Sequence, residues 1–173
     1  MRAALTIIAV VALCATPVAA QGKTKTKASA GFAVLQMCER FASGDVLAVQ
    51  AAQAQGWDAY EDAGESPFVK SYTADKAVPG VGEASLFALI ESYPESSFGY
   101  CRVDVDQPEG GNELVQAIAD LPRYAGETRV VDDGLYASLV ASDKPNWLLL
   151  SHRNADSFVI QLSINTPKAA TEQ

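Results

Sequence analysis

The chain has 173 residues and a net charge of −8, a length that fits one domain and an acidic balance that argues against nucleic acid or an anionic membrane as a partner. The basic cluster Lys23, Lys25 and Lys27 lies in a polar segment that is more typical of a flexible leader than of a binding arm. A single histidine leaves too few ligands for a zinc site if two cysteines pair.

Residues 1–20 have the pattern of a secretory signal peptide, with a positive start, an apolar run over 3–15 and small residues before an expected cleavage after Ala20. The run is too short to span a bilayer, which takes roughly 20 apolar residues, and no later stretch approaches that length. Cys14 is a poor lipoprotein site because Leu13 stands where that cleavage needs a small residue. We therefore expect a periplasmic or secreted protein without a transmembrane segment in its mature chain.

Two cysteines, Cys38 and Cys101, remain after this cleavage, and an oxidising compartment favours a disulfide between them. Apolar residues around Cys38 recur at spacings of three and four, which predicts a helix over 30–43 with Cys38 on its buried face. Residues 98–106 alternate instead with a period of two, which predicts a strand with Cys101 on its apolar face. Because the two patterns are independent and agree, we predict that the disulfide ties this helix to this strand.

The remaining elements follow from periodicity and turn residues. The sequence predicts helices over 46–55 and 112–121, with Asn112 as the cap of the second, an acidic loop over 58–67, and strands over 68–73, 84–92, 129–131, 135–141, 147–153 and 158–164. The strands 84–92 and 98–106 should form an antiparallel hairpin, since only a short turn separates them.

Together these elements predict an α+β domain over 30–166, preceded by a flexible polar leader over 21–29 and followed by a frayed tail over 167–173. We expect an antiparallel sheet of about six strands with two or three helices packed on one face and one disulfide. The order helix, strands, helix, strands is similar to that of type III secretion chaperones, which work in the cytoplasm and lack a signal peptide. That resemblance covers element order only and implies no function.

The single histidine, His152, lies on the predicted strand 147–153, and the register of this strand decides where its side chain points. If Arg153 pairs with Phe158 across the last turn, His152 faces away from the core. A register that differs by one residue turns it inward, because side chains alternate between the two faces. The sequence leaves both registers open.

A small hydrolase that uses His152 with Asp132 or Asp133 is the enzymatic alternative, with Ser138 or Ser151 as its nucleophile. No Gly-x-Ser-x-Gly motif supports it. In addition, the neighbours Ser151 and His152 point to opposite faces of a strand and therefore cannot form the nucleophile–base pair. We expect no catalytic residue and a protein that is not an enzyme.

Two further patterns fall short of a metal or cofactor site. Asp104, Asp106 and Glu109 could hold a cation in principle, but carboxylates at the end of a strand are more often solvated, and the calcium-loop pattern is absent. The pair Gly110-Gly111 lacks the Gly-Lys-Ser/Thr that completes a phosphate-binding loop. We expect no metal and no cofactor.

The strand 98–106 offers the best binding surface, because its outer face mixes aromatic and charged residues, namely Phe98, Tyr100, Arg102 and Asp104. We expect an exported, non-catalytic protein that binds a protein partner of the cell envelope or extracellular space through the sheet face or a sheet edge. A structural or assembly subunit that associates through a sheet edge is a further alternative. The sequence leaves open the partner, the oligomeric state, and whether a helix or loop covers Phe98 and Tyr100.

Overall fold

The computed structural model describes residues 19–64 and 66–168, with side chains from residue 30 onward. Within these ranges the chain forms three helices and eight strands, in the order α1 (Ala19–Ala42), α2 (Ala48–Ala54), β1 (Asp58–Glu61), β2 (Val69–Val78), β3 (Gly82–Ser92), β4 (Ser96–Asp106), α3 (Glu113–Ala119), β5 (Tyr124–Val131), β6 (Gly134–Ala141), β7 (Lys144–Arg153) and β8 (Ser157–Pro167). Residues 1–18 of the predicted signal peptide and residues 169–173 of the predicted tail lie outside the described ranges. The backbone of the predicted leader, 21–29, belongs to α1, and its flexibility stays a prediction.

All eight strands join one antiparallel sheet in the order β1-β2-β3-β4-β8-β7-β6-β5. Each half of the chain forms a meander of four strands, and the two halves meet where β4 pairs with β8. The predicted hairpin of β3 and β4 is confirmed, with Ala88 opposite Cys101. The α+β class, the antiparallel sheet and the disulfide are as expected, whereas the predicted number of about six strands is wrong, since the sheet has eight.

The segment 58–61, predicted to be part of an acidic loop, is instead β1, which pairs with β2 through Ala59 and Ala74. Only Ala59 of its four residues is buried, so the apolar alternation that usually indicates a strand is missing. β5 likewise extends well beyond the predicted 129–131, and seven of its eight residues are exposed. Both are edge strands, which pair on one side only and bury little, and this is why their sequences resemble loops.

The three described helices pack on one face of the sheet. α1 contacts β3, β4 and β8; α3 contacts β5, β6 and β7 as well as α1; and α2 packs on β1. The largest fully buried side chains lie between these layers and include Leu35, Phe41, Leu86, Leu114, Ile118, Leu149, Phe158, Ile160 and Leu162. Asn112 precedes α3 as predicted, but its amide donates to the carbonyl oxygen of Asp133 instead of capping the helix.

β4 lies directly beneath α1. Cys38 of α1 is bonded to Cys101 of β4, as predicted, and both residues are fully buried. Two residues earlier on the same face, a Cβ added at Gly99 would lie 1.8 Å from the carbonyl oxygen of Ala42. The absence of a side chain at Gly99 therefore lets the end of α1 rest on the strand. The inner face of β4 anchors α1, which leaves its outer face for other roles.

Candidate functional site

We call the side of the sheet that faces away from the helices the open face. Side-chain alternation on β4 places Phe98, Tyr100, Arg102 and Asp104 there, and all four are partly exposed. The described helices all pack on the opposite side, so none of them covers Phe98 or Tyr100. The four residues predicted for the binding face thus share one accessible surface.

Arg102 and Asp104 form the polar centre of the open face. The guanidinium donates to both carboxylate oxygens, from Nε at 2.7 Å and from Nη2 at 2.6 Å, and its Nη1 donates to Gln161 Oε1 at 3.3 Å. The hydrogen bonds to Asp104 are the main reason that the pKa of Arg102 is raised. The two side chains are 41% and 46% exposed, so the pair adds little to stability. A partner would meet a hydrogen-bonding centre whose charges cancel.

His152 lies on the open face because Arg153 pairs with Phe158, one of the two registers that the sequence allows. Ser151 is accordingly buried on the core side. The imidazole stacks on the ring of Tyr136, with centroids 5.2 Å apart and planes inclined by 16°. Tyr136 of β6 thus covers one side of the imidazole of His152 on β7, which is half-buried.

Charge and burial set the protonation of His152. Burial lowers its pKa, the positive charge of Arg102 lowers it further, and the carboxylate of Asp104 opposes this shift. The imidazole is therefore neutral at pH 7, where one ring nitrogen can donate a hydrogen bond and the other can accept one. Its Nε2 lies 3.5 Å from the hydroxyl oxygen of Ser157.

The residues considered for a hydrolase do not form a catalytic chain in the part of the protein that the structure describes. Ser151 donates its hydroxyl to the carbonyl oxygen of Val159 at 2.9 Å, on the buried side of the sheet. Asp132 and Asp133 form the turn between β5 and β6, and neither is among the charges that act on His152. Ser138 lies on the open face but pairs with Leu150, and Ser157, the serine beside His152, donates its hydroxyl to Asn154 Oδ1 at 3.0 Å. A nucleophile and its base must lie within hydrogen-bonding distance, so the predicted set of residues gives the hydrolase alternative no support.

Two of the carboxylates considered for a cation have other partners. Asp104 holds Arg102, and Glu109 accepts a hydrogen bond from the backbone N–H of Gly80 at 3.1 Å. Over residues 30–64 and 66–168, no three side chains of His, Cys, Asp or Glu come together as a metal site would require. The described helices include none with the length and apolar character needed to cross a membrane.

Two apolar patches flank the polar centre, and most of their residues are absent from the predicted site. The first patch, on β3 and β4, consists of Phe87, Leu89, Phe98 and Tyr100, and the second patch, on β6 and β7, consists of Val140, Leu148 and Leu150. Phe87, Leu148 and Leu150 are 44%, 53% and 48% exposed. Between the patches runs β8, whose residues on this face include Gln161 and Ser163.

The strand register fixes the distance between the two patches. Phe87 pairs with Arg102, Arg102 with Gln161, and Gln161 with Leu150, so these four residues lie in one row across β3, β4, β8 and β7. Three strand spacings of about 4.8 Å put Phe87 and Leu150 about 14 Å apart. The row therefore presents two apolar contact points with hydrogen-bonding groups between them.

A groove of about 350 Å³ borders the second patch and is lined, among others, by Arg129, Tyr136, Leu150 and His152. It joins the neutral imidazole and one apolar contact point in a single concavity. Two larger grooves lie away from the polar centre. One, of about 450 Å³, is beside α1, and the other, of about 470 Å³, is where β2 begins and β3 ends. The smaller groove is therefore the one that borders His152 and the second patch, whereas the groove at Val69 and Glu91 reaches the open face beside Phe98.

Comparison of the chain with protein-family models, with curated proteins and with solved structures gave no match. The likeness to type III secretion chaperones accordingly rests on the order of elements alone, here two helices, four strands, one helix and four strands. Element order carries no function, so any functional conclusion has to come from the open face itself.

We expect His152 to titrate below its ordinary value of about 6.5, and the variant Arg102→Gln to raise this pKa because it removes a positive charge and leaves Asp104 in place. A lowered histidine pKa stabilises the fold above about pH 6.5, and this contribution is lost as the pH falls, since the unfolded chain takes up the proton more readily. An NMR titration of the single histidine measures both values.

The matched control is Lys70→Gln, which removes a cation whose side chain pairs with Glu61 on another part of the sheet. It should leave the histidine titration unchanged. An equal pKa in wild type and in Arg102→Gln would contradict the position of the guanidinium beside the imidazole.

Proposed function

We propose that this is an exported, non-catalytic binding protein whose open face docks onto a protein partner of the cell envelope or extracellular space. The observation that carries the proposal is the pair of exposed apolar patches on either side of the polar centre, on a sheet face that no described helix covers. Large apolar side chains that lie together on a surface typically mark an interaction site.

The size of the open face suits a protein partner. Eight strands at about 4.8 Å span roughly 34 Å, and strands of about ten residues are roughly 30 Å long. A sheet of these dimensions offers about 1,000 Å² on one side, and a specific protein interface buries about 800 Å² per partner. Most of the open face would therefore be engaged in one complex.

The chemistry of the open face also favours protein over other classes of ligand. The cation at the polar centre, Arg102, is held by Asp104, so an anionic polymer or membrane finds no free positive charge there. The net charge of −8 repels such ligands as well. A protein surface with two apolar side chains about 14 Å apart and polar groups between them would match the row from Phe87 to Leu150.

The test begins with the protein captured from an envelope extract by the wild-type chain, identified by mass spectrometry and then purified. Its dissociation constant is measured for the wild type, for Phe87→Lys, for Leu150→Lys and for the charge reversal Arg102→Glu. Each variant should bind about tenfold more weakly or worse, a loss of about 1.4 kcal/mol, because the lysines would be desolvated in an apolar contact and the glutamate would face Asp104 instead of pairing with it. Circular dichroism checks that each variant is folded.

Val46→Lys is the matched control, since Val46 is 91% exposed and borders a groove on the helix side of the sheet. It introduces the same lysine without touching the open face, so its affinity should equal that of the wild type. Capture that persists at full strength in Leu150→Lys and Phe87→Lys would remove the proposal.

A further inference from the structure

β5 forms one edge of the sheet and pairs only with β6. Its residues from 125 to 131 are all exposed, and Val130 is 67% exposed. An exposed edge of this length is a template for pairing with another strand, and proteins usually block such edges or use them. β5 has no proline and no lysine, and its two charged residues, Glu127 and Arg129, are of opposite sign.

The hairpin geometry shows which backbone groups of β5 point outward. Val131 and Gly134 close the two-residue turn and form the first hydrogen-bonded pair, after which hydrogen-bonded and non-hydrogen-bonded pairs alternate. Gly126, Thr128 and Val130 belong to the non-hydrogen-bonded pairs, so their N–H and C=O groups point away from β6. Within the described ranges, the backbone hydrogen bonds outside the strand ladders include none to these three residues.

The charges on β5 complement those of an identical strand in one register. Glu127 and Arg129 pair with Ser138 and Tyr136, so both side chains lie on the open face. When two copies of β5 run antiparallel with Thr128 opposite Thr128, each Glu127 faces Arg129 of the second copy. Opposite charges in such a cross-strand position stabilise the pair.

This register also gives hydrogen-bond partners to the outward-pointing backbone groups of β5. It sets Gly126 opposite Val130 and Thr128 opposite Thr128, so that the outward groups meet one another and can form about six hydrogen bonds. The neighbouring registers that keep this backbone match, centred on Glu127 or on Arg129, place two like charges directly opposite each other. Gly126, which has no side chain, leaves room for the exposed Val130 of the second copy.

The other edge of the sheet lacks this complementarity. β1 has four residues, begins with Asp58 and ends with Glu61. An antiparallel pair of β1 strands with all four residues matched would place Asp58 opposite Glu61 at both ends, and like charges directly opposite are destabilising. A short, acidic edge is a common form of protection against pairing. The two edges are thus distinguished by both length and charge.

We propose that β5 pairs antiparallel with β5 of a second copy of this chain, with Thr128 on the two-fold axis, to form a homodimer. The two sheets become one sheet of sixteen strands, eight from each copy, and the two open faces become one continuous surface. This inference goes beyond the proposed function, because the backbone edge of β5 is separate from the apolar patches of the open face and either could operate without the other.

Sedimentation equilibrium from about 1 to 100 μM tests the homodimer in the purified mature chain, and the wild type should dimerise within this range. Glu127→Arg places Arg opposite Arg at both contacts, and Arg129→Glu places Glu opposite Glu, so each should weaken the dimer by about tenfold or more. The double variant Glu127→Arg/Arg129→Glu restores opposite charges and should recover dimerisation. Asp58→Arg, on the β1 edge, is the matched control and should not alter the dimer.

Thr128→Pro tests the backbone contact separately, because it removes an outward N–H and leaves the bonds to β6 in place. Circular dichroism confirms the fold, and the variant should be monomeric. A wild type that stays monomeric at 100 μM overturns the proposal, as does a double variant no better than the single ones. If Leu150→Lys loses partner binding but still forms the dimer, the open face and the β5 edge act independently.

Discussion

The double variant Cys38→Ala/Cys101→Ala is expected to lose about 4 kcal/mol of unfolding free energy, because the disulfide joins residues 63 positions apart and restricts the unfolded chain accordingly. Domains of this size are stable by only about 5–15 kcal/mol, so the loss is a large fraction of the total. The melting temperature should fall by about 8–16 °C. Alanine is the appropriate replacement because both positions are fully buried, where serine would add an unsatisfied hydroxyl.

Urea denaturation measures this difference directly. The slope of the unfolding free energy against urea should also rise, since an unfolded chain without the cross-link exposes more surface. Wild-type protein unfolded in a reducing agent is the control and should behave like the double variant. A double variant within 1 kcal/mol of oxidised wild type would contradict the anchoring role of the disulfide.

Gly99→Ala is expected to destabilise the protein by about 3 kcal/mol or more, because the new methyl group has no space. A Cβ at this position would lie 1.8 Å from the carbonyl oxygen and 2.9 Å from the carbonyl carbon of Ala42. Both are backbone atoms, so no side-chain rotation can relieve the contact. The end of α1 would have to lift from β4, beside the disulfide that holds the two together.

Gly44→Ala separates this steric effect from the ordinary cost of losing a glycine. Gly44 has a positive φ of 74°, and a Cβ there would meet only the side chain of Ile90 at 3.9 Å. Backbone strain alone should cost about 1 kcal/mol. Chemical denaturation of the two variants side by side is the measurement. Equal losses for Gly99→Ala and Gly44→Ala would show that α1 does not press on β4.

The link between α1 and β4 could be predicted from the sequence because burial is periodic in both elements. Cys38 lies on a face with a spacing of three and four, Cys101 lies on a face with a spacing of two, and each spacing can be recognised locally. Gly99 carried a signal as well, since a glycine inside an alternating strand often marks close approach of another backbone. What Gly99 approaches, the carbonyl of Ala42, depends on packing and has no local signal.

The register of β7 could not be predicted, since apolar residues occupy both of its faces. Trp147 and Leu149 point one way, Leu148 and Leu150 point the other, and either set could have formed the core. The structure places Leu149 inside and leaves Leu148 and Leu150 on the open face. The second patch could not be predicted for the same reason. A strand that is apolar on both faces is usually buried on both, so exposed leucines on β7 were not expected.

The composition of the open face also depends on strand order. The sequence identified the outer residues of β4 and suggested its hairpin with β3, which is a local pairing. It gave no indication that β8 lies between β4 and β7, since β4 and β8 are joined only through the sheet. The row from Phe87 through Arg102 and Gln161 to Leu150 is therefore a product of topology that no single segment encodes.

The central claim, that the open face contacts a protein partner, is tested most directly by site-specific photo-crosslinking in intact cells. A photoreactive amino acid replaces Phe87, Leu150 or, as the control on the helix side, Val46. We expect positions 87 and 150 to crosslink to the same protein and position 46 not to do so, because positions 87 and 150 are about 14 Å apart on one interface. Crosslinks of equal yield from position 46, or none from 87 and 150, would contradict it.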